Sequence, residues 1–228
     1  FFILMNISNK SFAFNLWNIH KPVFKTSQTI YANNSSNYVV KNCNKKQIKN
    51  NERLIRRLEE SGKLEFSMFN DSPENLSILI KNKKISLKKK KLDSILFNKN
   101  FEIFFKALLA DKNSGWFIST LSFNNEIIAS SLNSVKGDRF YYYQPSFNGD
   151  YYKYSPSSLL LQFLLKELET MEHIKTIDFL KGDESYKNIW AINHTKEDLF
   201  LISNINNYLI KIADRYRSSK LISKIKNW

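Results

Sequence analysis

Between Trp116 and Gln144 the hydrophobic pattern has a period of two, and it is broken twice by turn-forming pairs, Asn124-Asn125 and Gly137-Asp138. Successive side chains of a strand point to opposite faces, and Asn and Gly tolerate the positive φ of tight hairpins. The stretches WFISTLSF, EIIASSLNSV and RFYYYQ are therefore expected to form an antiparallel meander. A sheet in mid-chain needs cover, so the flanking segments must supply the helices that bury it.

The flanks fit that demand. Lys45 to Glu60 carries Ile48, Leu54, Ile55 and Leu58 at helical intervals among charges, which predicts an amphipathic helix ended by Ser61-Gly62. Leu64 to Phe69 alternates as a half-buried strand, Asp71-Ser72-Pro73 opens a further helix, and Asn98 to Ala110 is patterned as another. After Ser155-Pro156, residues 157–171 are apolar on most sides, as a helix buried against a sheet would be. Ile174 to Leu180 and Asp198 to Ser203 read as strands. The fold class is α+β.

Residues 1–46 are rich in Asn and Ser, with strand-like pieces such as Asn37-Tyr38-Val39-Val40, and are expected to be the remnant of an upstream region. Phe1-Phe2-Ile3-Leu4-Met5 has no basic segment ahead of it, so it reads as a continuation of a chain truncated at its N-terminus, not as a leader. Residues 47–203 would make the main domain. Residues 204–228 carry Leu209, Ile212, Tyr216, Ile222 and Ile225 at helical spacing on a basic background, a C-terminal amphipathic helix.

Composition excludes more than it selects. The chain has 228 residues and one cysteine, Cys43, so an internal disulfide and a multi-cysteine metal site are both ruled out; no metal is expected. A lone cysteine suits a reducing cytoplasm. No apolar run reaches the roughly 20 residues of a spanning helix. The net charge of +14 invites an anionic partner, but Lys, Asn and Ile are abundant throughout. Even the densest cluster, Lys81 to Lys91 (KNKKISLKKKK), is read as a solvated face.

Two places could carry chemistry. Ser155 suits an N-cap and Pro156 a first helical position, which would leave the N–H groups of Ser157, Ser158 and Leu159 at the positive end of a helix. Such an end binds phosphate or pyrophosphate. The second is the run IDFLKGDESYKNIW, Ile177 to Trp190, a strand, a Gly-Asp turn and a short helix. Asp178 lies within an apolar strand, where a carboxylate must face a polar cleft or accept several hydrogen bonds. Glu184, Tyr186 and Lys187 follow, groups that can take up, return or orient a proton.

These parts, in this order, resemble the GNAT-fold acetyltransferase domain of the CelD-like proteins linked to cellulose and exopolysaccharide biosynthesis, relatives of the FemAB transferases. The resemblance runs from about Lys45 to Ala191 and rests on KKQIKNNERLIRRLEE, LEFSMF, RFYYYQPSFN, YKYSPSSLLL and IDFLKGDESYKNIWA. It implies a mixed, mostly antiparallel sheet with helices on both faces. It also implies acetyl-CoA or another acyl-CoA as co-substrate, between the strands Phe140 to Ser146 and Lys175 to Leu180. Tyr143, Gln144, Ser155, Ser157, Ser158 and Leu159 would hold the donor; Tyr186, Glu184 and Asp178 would be catalytic; Asp183 and Lys187 would meet the acceptor. Family members usually carry glycine where this chain has Ser157, whose side chain narrows the approach of a phosphate. The implied reaction is acyl transfer to an amine or hydroxyl of a sugar, polysaccharide precursor or other envelope component. A Fem-like transferase using aminoacyl-tRNA, and a non-catalytic module binding polysaccharide or nucleic acid, are the alternatives.

Overall fold

The computed structural model describes residues 5–8, 23–92, 97–182 and 184–202. Contacts divide the chain into two units, Ile30–Thr195 and a smaller one from the segments on either side. In the smaller unit β1 (Met5–Ser8) pairs antiparallel with β8 (Thr195–Ile202), Met5 opposite Ile202. The strand β2 (Val23–Asn33) crosses the boundary between units. The C-terminal helix expected over 204–228 lies outside the described residues.

In the larger unit the chain runs α1 (Tyr38–Asn42), α2 (Lys45–Glu59), β3 (Leu64–Ser67), α3 (Pro73–Lys89), α4 (Lys99–Ala110), β4 (Trp116–Phe123), β5 (Glu126–Lys136), β6 (Arg139–Phe147), α5 (Pro156–Leu168), β7 (Thr176–Lys181) and α6 (Ser185–Trp190). Its strands lie in the order β3-β4-β5-β6-β7. Each neighbour is antiparallel except β7, which runs parallel to β6. The meander is present as the turns require: Asn124 and Asn125 take φ 49° and 66°, the left-handed pair of a type I′ hairpin.

Helices cover both faces. α5 fills one with Leu159, Leu160, Leu161, Leu164, Leu165 and Leu168, against Phe117, Phe140 and Ile177 in one cluster and Leu121, Ile128 and Ala129 in another. Each such leucine contributes about 1.5–3 kcal/mol, so the sheet and α5 form one block. The other face holds α3 and α4 through Leu76, Leu79, Ile80 and Phe105 on Ile118 and Leu132. Side-chain caps start three helices: Asn44 on α2, Ser72 on α3 and Asn98 on α4.

One expectation is reversed. Tyr38-Val39-Val40, read as strand-like, is helical in α1. Burial of Tyr38 and Val39 in the cluster around α5 outweighs the strand preference of a β-branched run. No helix among the described residues is long and apolar enough to cross a membrane.

Candidate active site

β6 and β7 pair over only three positions, Arg139 with Thr176, Phe140 with Ile177 and Tyr141 with Asp178. Both strands continue, to Phe147 and Lys181, so they part beyond this point. A cavity of about 530 Å³ opens where they separate, walled by Tyr142, Pro145, Phe147, the Ser155–Ser158 turn, Leu161 and, from α6, Tyr186, Ile189 and Trp190.

A bulge on β6 decides which side chains reach it. Asn133 lies opposite Tyr142 and Leu132 opposite Gln144, which leaves Tyr143 as an extra residue. Tyr142 then packs on Phe179, with ring centroids 6.3 Å apart. Tyr143 turns to the other face, 5.3 Å from the Trp116 ring and 5.6 Å from Phe105. Of the residues expected to contact the donor, Tyr143 and Gln144 do not line this cavity, whereas their neighbours Tyr142 and Pro145 do.

The entry to α5 also differs from its expected form. Ser155 has φ 51° and its side chain makes no cap bond. Its carbonyl accepts the N–H groups of Ser158 (2.8 Å) and Leu159 (3.2 Å), so two of the three amides expected to face outward are used. No described residue accepts the Ser157 N–H. Leu159 is buried in the core, whereas Ser155, Ser157 and Ser158 line the cavity. The turn is fastened to α2: Gln47 Nε2 donates to Ser158 Oγ (3.1 Å) and to Asn51 Oδ1 (2.9 Å), and Asn51 Nδ2 donates to the Ser158 carbonyl (3.1 Å). Gln47 and Asn51 stand one turn apart on the stripe that continues as Leu54 and Leu58. Two amides on a buried stripe were the sequence signal for this wall. Lys153, exposed with its ammonium 5.0 Å from the Tyr154 ring, adds a cation.

The opposite wall is the β7–α6 turn. Here Leu180 takes φ 61° and Gly182 φ 114°, both left-handed. Gly182 is needed there, since φ 114° is a backbone conformation that a residue with a Cβ rarely adopts. Asp178 is 4% exposed; its Oδ1 accepts the Leu180 N–H at 2.7 Å and its Oδ2 pairs with Arg139 at 3.0 Å. Lys187, 1% exposed, donates from Nζ to the carbonyls of Leu180 (2.9 Å), Lys181 (2.9 Å) and Gly182 (3.1 Å), and pairs with Glu184 at 2.9 Å. Asp178, Glu184 and Lys187 thus hold the turn and do not line the cavity. Asp183 lies outside the described residues.

Among the described residues, Tyr186 alone of those expected to be catalytic or to meet the acceptor faces the cavity. Burial pushes its phenol above the ordinary tyrosine range, with the Glu184 carboxylate adding to the shift. Tyr142 is raised by burial, then by Tyr186. Two protonated phenols at neutral pH can donate hydrogen bonds but cannot act as bases. α6 is locked to α1, its Trp190 carbonyl accepting from Tyr38 Oη (3.0 Å) and Cys43 Sγ (3.4 Å). Burial, then the Glu169 charge, pushes the Cys43 thiol up to about 12.

The same fold recurs among solved structures. The C-terminal domain of a putative lysylphosphatidylglycerol synthetase from Agrobacterium fabrum superposes with a TM-score of 0.63 at 12% identity, over 92% of this chain and 70% of that one. L-PGS from Bacillus licheniformis gives 0.62 at 14%, over 94% and 71%, and FemX 0.58 at 11%, over 93% and 68%. At such identities the likeness is one of fold. A comparison with curated proteins returns no match. The sequence itself matches a family model over residues 45–188, from the first residue of α2 to the helix bearing Tyr186, the span that builds both walls of the cleft. On that match the chain belongs to the acetyltransferase (GNAT) domain family and is an acyltransferase.

Proposed function

We propose that the protein transfers an acyl group from acyl-CoA to an amine or hydroxyl, on a sugar, polysaccharide precursor or other envelope component as the CelD-like resemblance implies. The observation that carries this reading is the parting of β6 and β7 around a cavity with an apolar middle and a polar mouth. Tyr142, Leu161, Ile189 and Trp190 suit an extended, weakly polar arm, and the Ser157 N–H and Lys153 suit a pyrophosphate. When bound, acyl-CoA supplies the acyl group as an activated thioester. In the reaction the acceptor nitrogen or oxygen forms the new C–N or C–O bond and releases its proton to solvent, the C–S bond breaks, and the thiolate takes a proton from Tyr186, which solvent replaces. Positioning by the two walls provides the rest.

An aminoacyl-tRNA donor is the second reading. It is favoured by the likeness in fold to FemX over 93% of this chain and by the basic surface. Thermal protection separates the two. At about 100-fold excess over Kd a ligand adds roughly 2.7 kcal/mol, a shift of about 5–10 °C for a chain of this size. Acetyl-CoA is expected to give that shift; protection by charged tRNA alone would transfer the assignment to the second reading. Tyr186→Phe is expected to lower turnover about 100-fold with an unchanged melting temperature, as loss of a general acid would. Unchanged turnover removes Tyr186 from the mechanism.

A further inference from the structure

Phe147 and Tyr152 line two cavities, the acyl cleft and a second one of about 710 Å³ bordered by α3. Lys81, Ile85 and Lys89 are one turn apart on α3, with Lys90 alongside, so the helix presents its lysines to this space as a row. That is the KNKKISLKKKK run, and its place in the fold is a cavity wall. The facing loop comes close to the row at Gly149, where a Cβ would stand 3.2 Å from Lys89 Nζ. Lys83, on the same helix, donates to the carbonyl of Pro145 in the acyl cleft at 3.4 Å. Burial, then Lys90, pushes its ammonium below the ordinary lysine range while Glu184 opposes the shift.

Two carboxylates face the lysines. Glu126 is engaged, accepting from Asn148 Nδ2 (2.8 Å) and Tyr151 Oη (2.7 Å). Asp150 is exposed at the rim. A row of cations, two exposed carboxylates of which Glu126 is already engaged, and an apolar wall together suit a molecule with a phosphate, a hydroxyl or ammonium, and a carbon body.

We propose that this second cavity is the acceptor site and that the acceptor is phosphorylated. Its phosphate sits on Lys81, Lys89 and Lys90, its body on Ile85, Phe147 and Tyr152, next to the donor cleft. The assignment as acceptor site rests on the reading of the first cavity as the donor site. The phosphate could instead be the donor's own nucleotide phosphate, and the test separates the two sources.

Calorimetry with inorganic pyrophosphate, with and without saturating CoA, provides that test. Three proteins are compared: the wild type, K81Q/K89Q/K90Q, and K84Q/K88Q/K91Q as a control with the same change in charge on lysines that do not line the cavity. The wild type is expected to bind pyrophosphate with CoA present. The cavity triple should lose at least about tenfold in that affinity and the control less than twofold, with CoA and dephospho-CoA affinities unchanged throughout. Displacement of pyrophosphate by CoA, or equal losses in both triples, would overturn the site. A cavity triple that weakens CoA but not dephospho-CoA would assign the lysines to the donor and overturn the acceptor reading. Failure of CoA to bind any of the three sinks the donor assignment and the word acceptor with it, while binding of pyrophosphate alone still decides whether the lysines hold phosphate. The single variant K89Q, at an exposed position, repeats the measurement if the triple is unstable.

Discussion

The two walls of the acyl cleft meet the same steric problem with different chemistry. Each contains a non-glycine residue in the left-handed region, Ser155 at φ 51° in one and Leu180 at φ 61° in the other. The Ser155 wall is tied down by neutral groups, with Gln47, Asn51 and Ser158 sharing hydrogen bonds across 107 positions of sequence. The Leu180 wall is tied down by buried charges, Asp178 with Arg139 and Lys187 with three carbonyls and Glu184. A neutral network that loses a member leaves a polar atom short of one bond, whereas a charged one leaves an ion or a row of carbonyls without compensation. The wall bearing Tyr186 is consequently the stiffer and the more brittle of the two.

Substitutions can break that contrast or sharpen it. Lys187→Met keeps the length of the side chain and removes every bond it makes. It is expected to destabilise the protein by about 3–5 kcal/mol, read as a shifted denaturant midpoint with unchanged slope. A loss below about 1 kcal/mol would mean that the charged wall is no more brittle than the neutral one. Asn51→Ala should cost less, roughly 1–3 kcal/mol, because it strips Ser158 of neutral partners only. Smallest is Ser155→Gly, which relieves the left-handed backbone and should stabilise by a few tenths to about 1 kcal/mol, with the gain visible as a small rise in melting temperature. A loss on that change would show that the Ser155 side chain is itself holding the turn.

Much of the fold could be read from the chain, because the deciding signals are local. Asn124-Asn125 fixes a hairpin, Ser72-Pro73 starts a helix, and the near-continuous leucines of 159–168 require a sheet to lie against. The site was legible to the extent that it shares this locality. Ser155, Ser157, Ser158 and Tyr186 face the cavity because they sit on a turn or a short helix whose place follows from its neighbours in sequence. Tyr143 and Gln144, implied as donor contacts by the resemblance, do not line it because the extra residue on β6 puts Pro145, in place of Gln144, on the face of Tyr142. Asp178 and Lys187 were given chemical roles because their partners are set by the folded chain: Arg139 lies 39 positions from Asp178, and the carbonyls that take up Lys187 become available only when Leu180 and Gly182 turn left-handed. Gln47 escaped notice as a polar residue on a helix whose stripe was defined by its apolar members.

The bulge at Tyr143 also bears on how this protein can vary. Tyr142 reaches the cleft on one side of the extra residue, Pro145 and Phe147 on the other, and the three share a face because the bulge takes up the odd residue between them. A conservative exchange of Tyr143 alters one aromatic contact on the far side of the sheet. Its deletion would leave Tyr142 opposite Asn133 and Gln144 opposite Leu132 in an unbroken ladder, so Pro145 and Phe147 would keep their face on the cleft. Along this strand the bulge is a place where the chain can shorten by one residue without moving the cleft wall, so length is freer at Tyr143 than at the paired positions on either side.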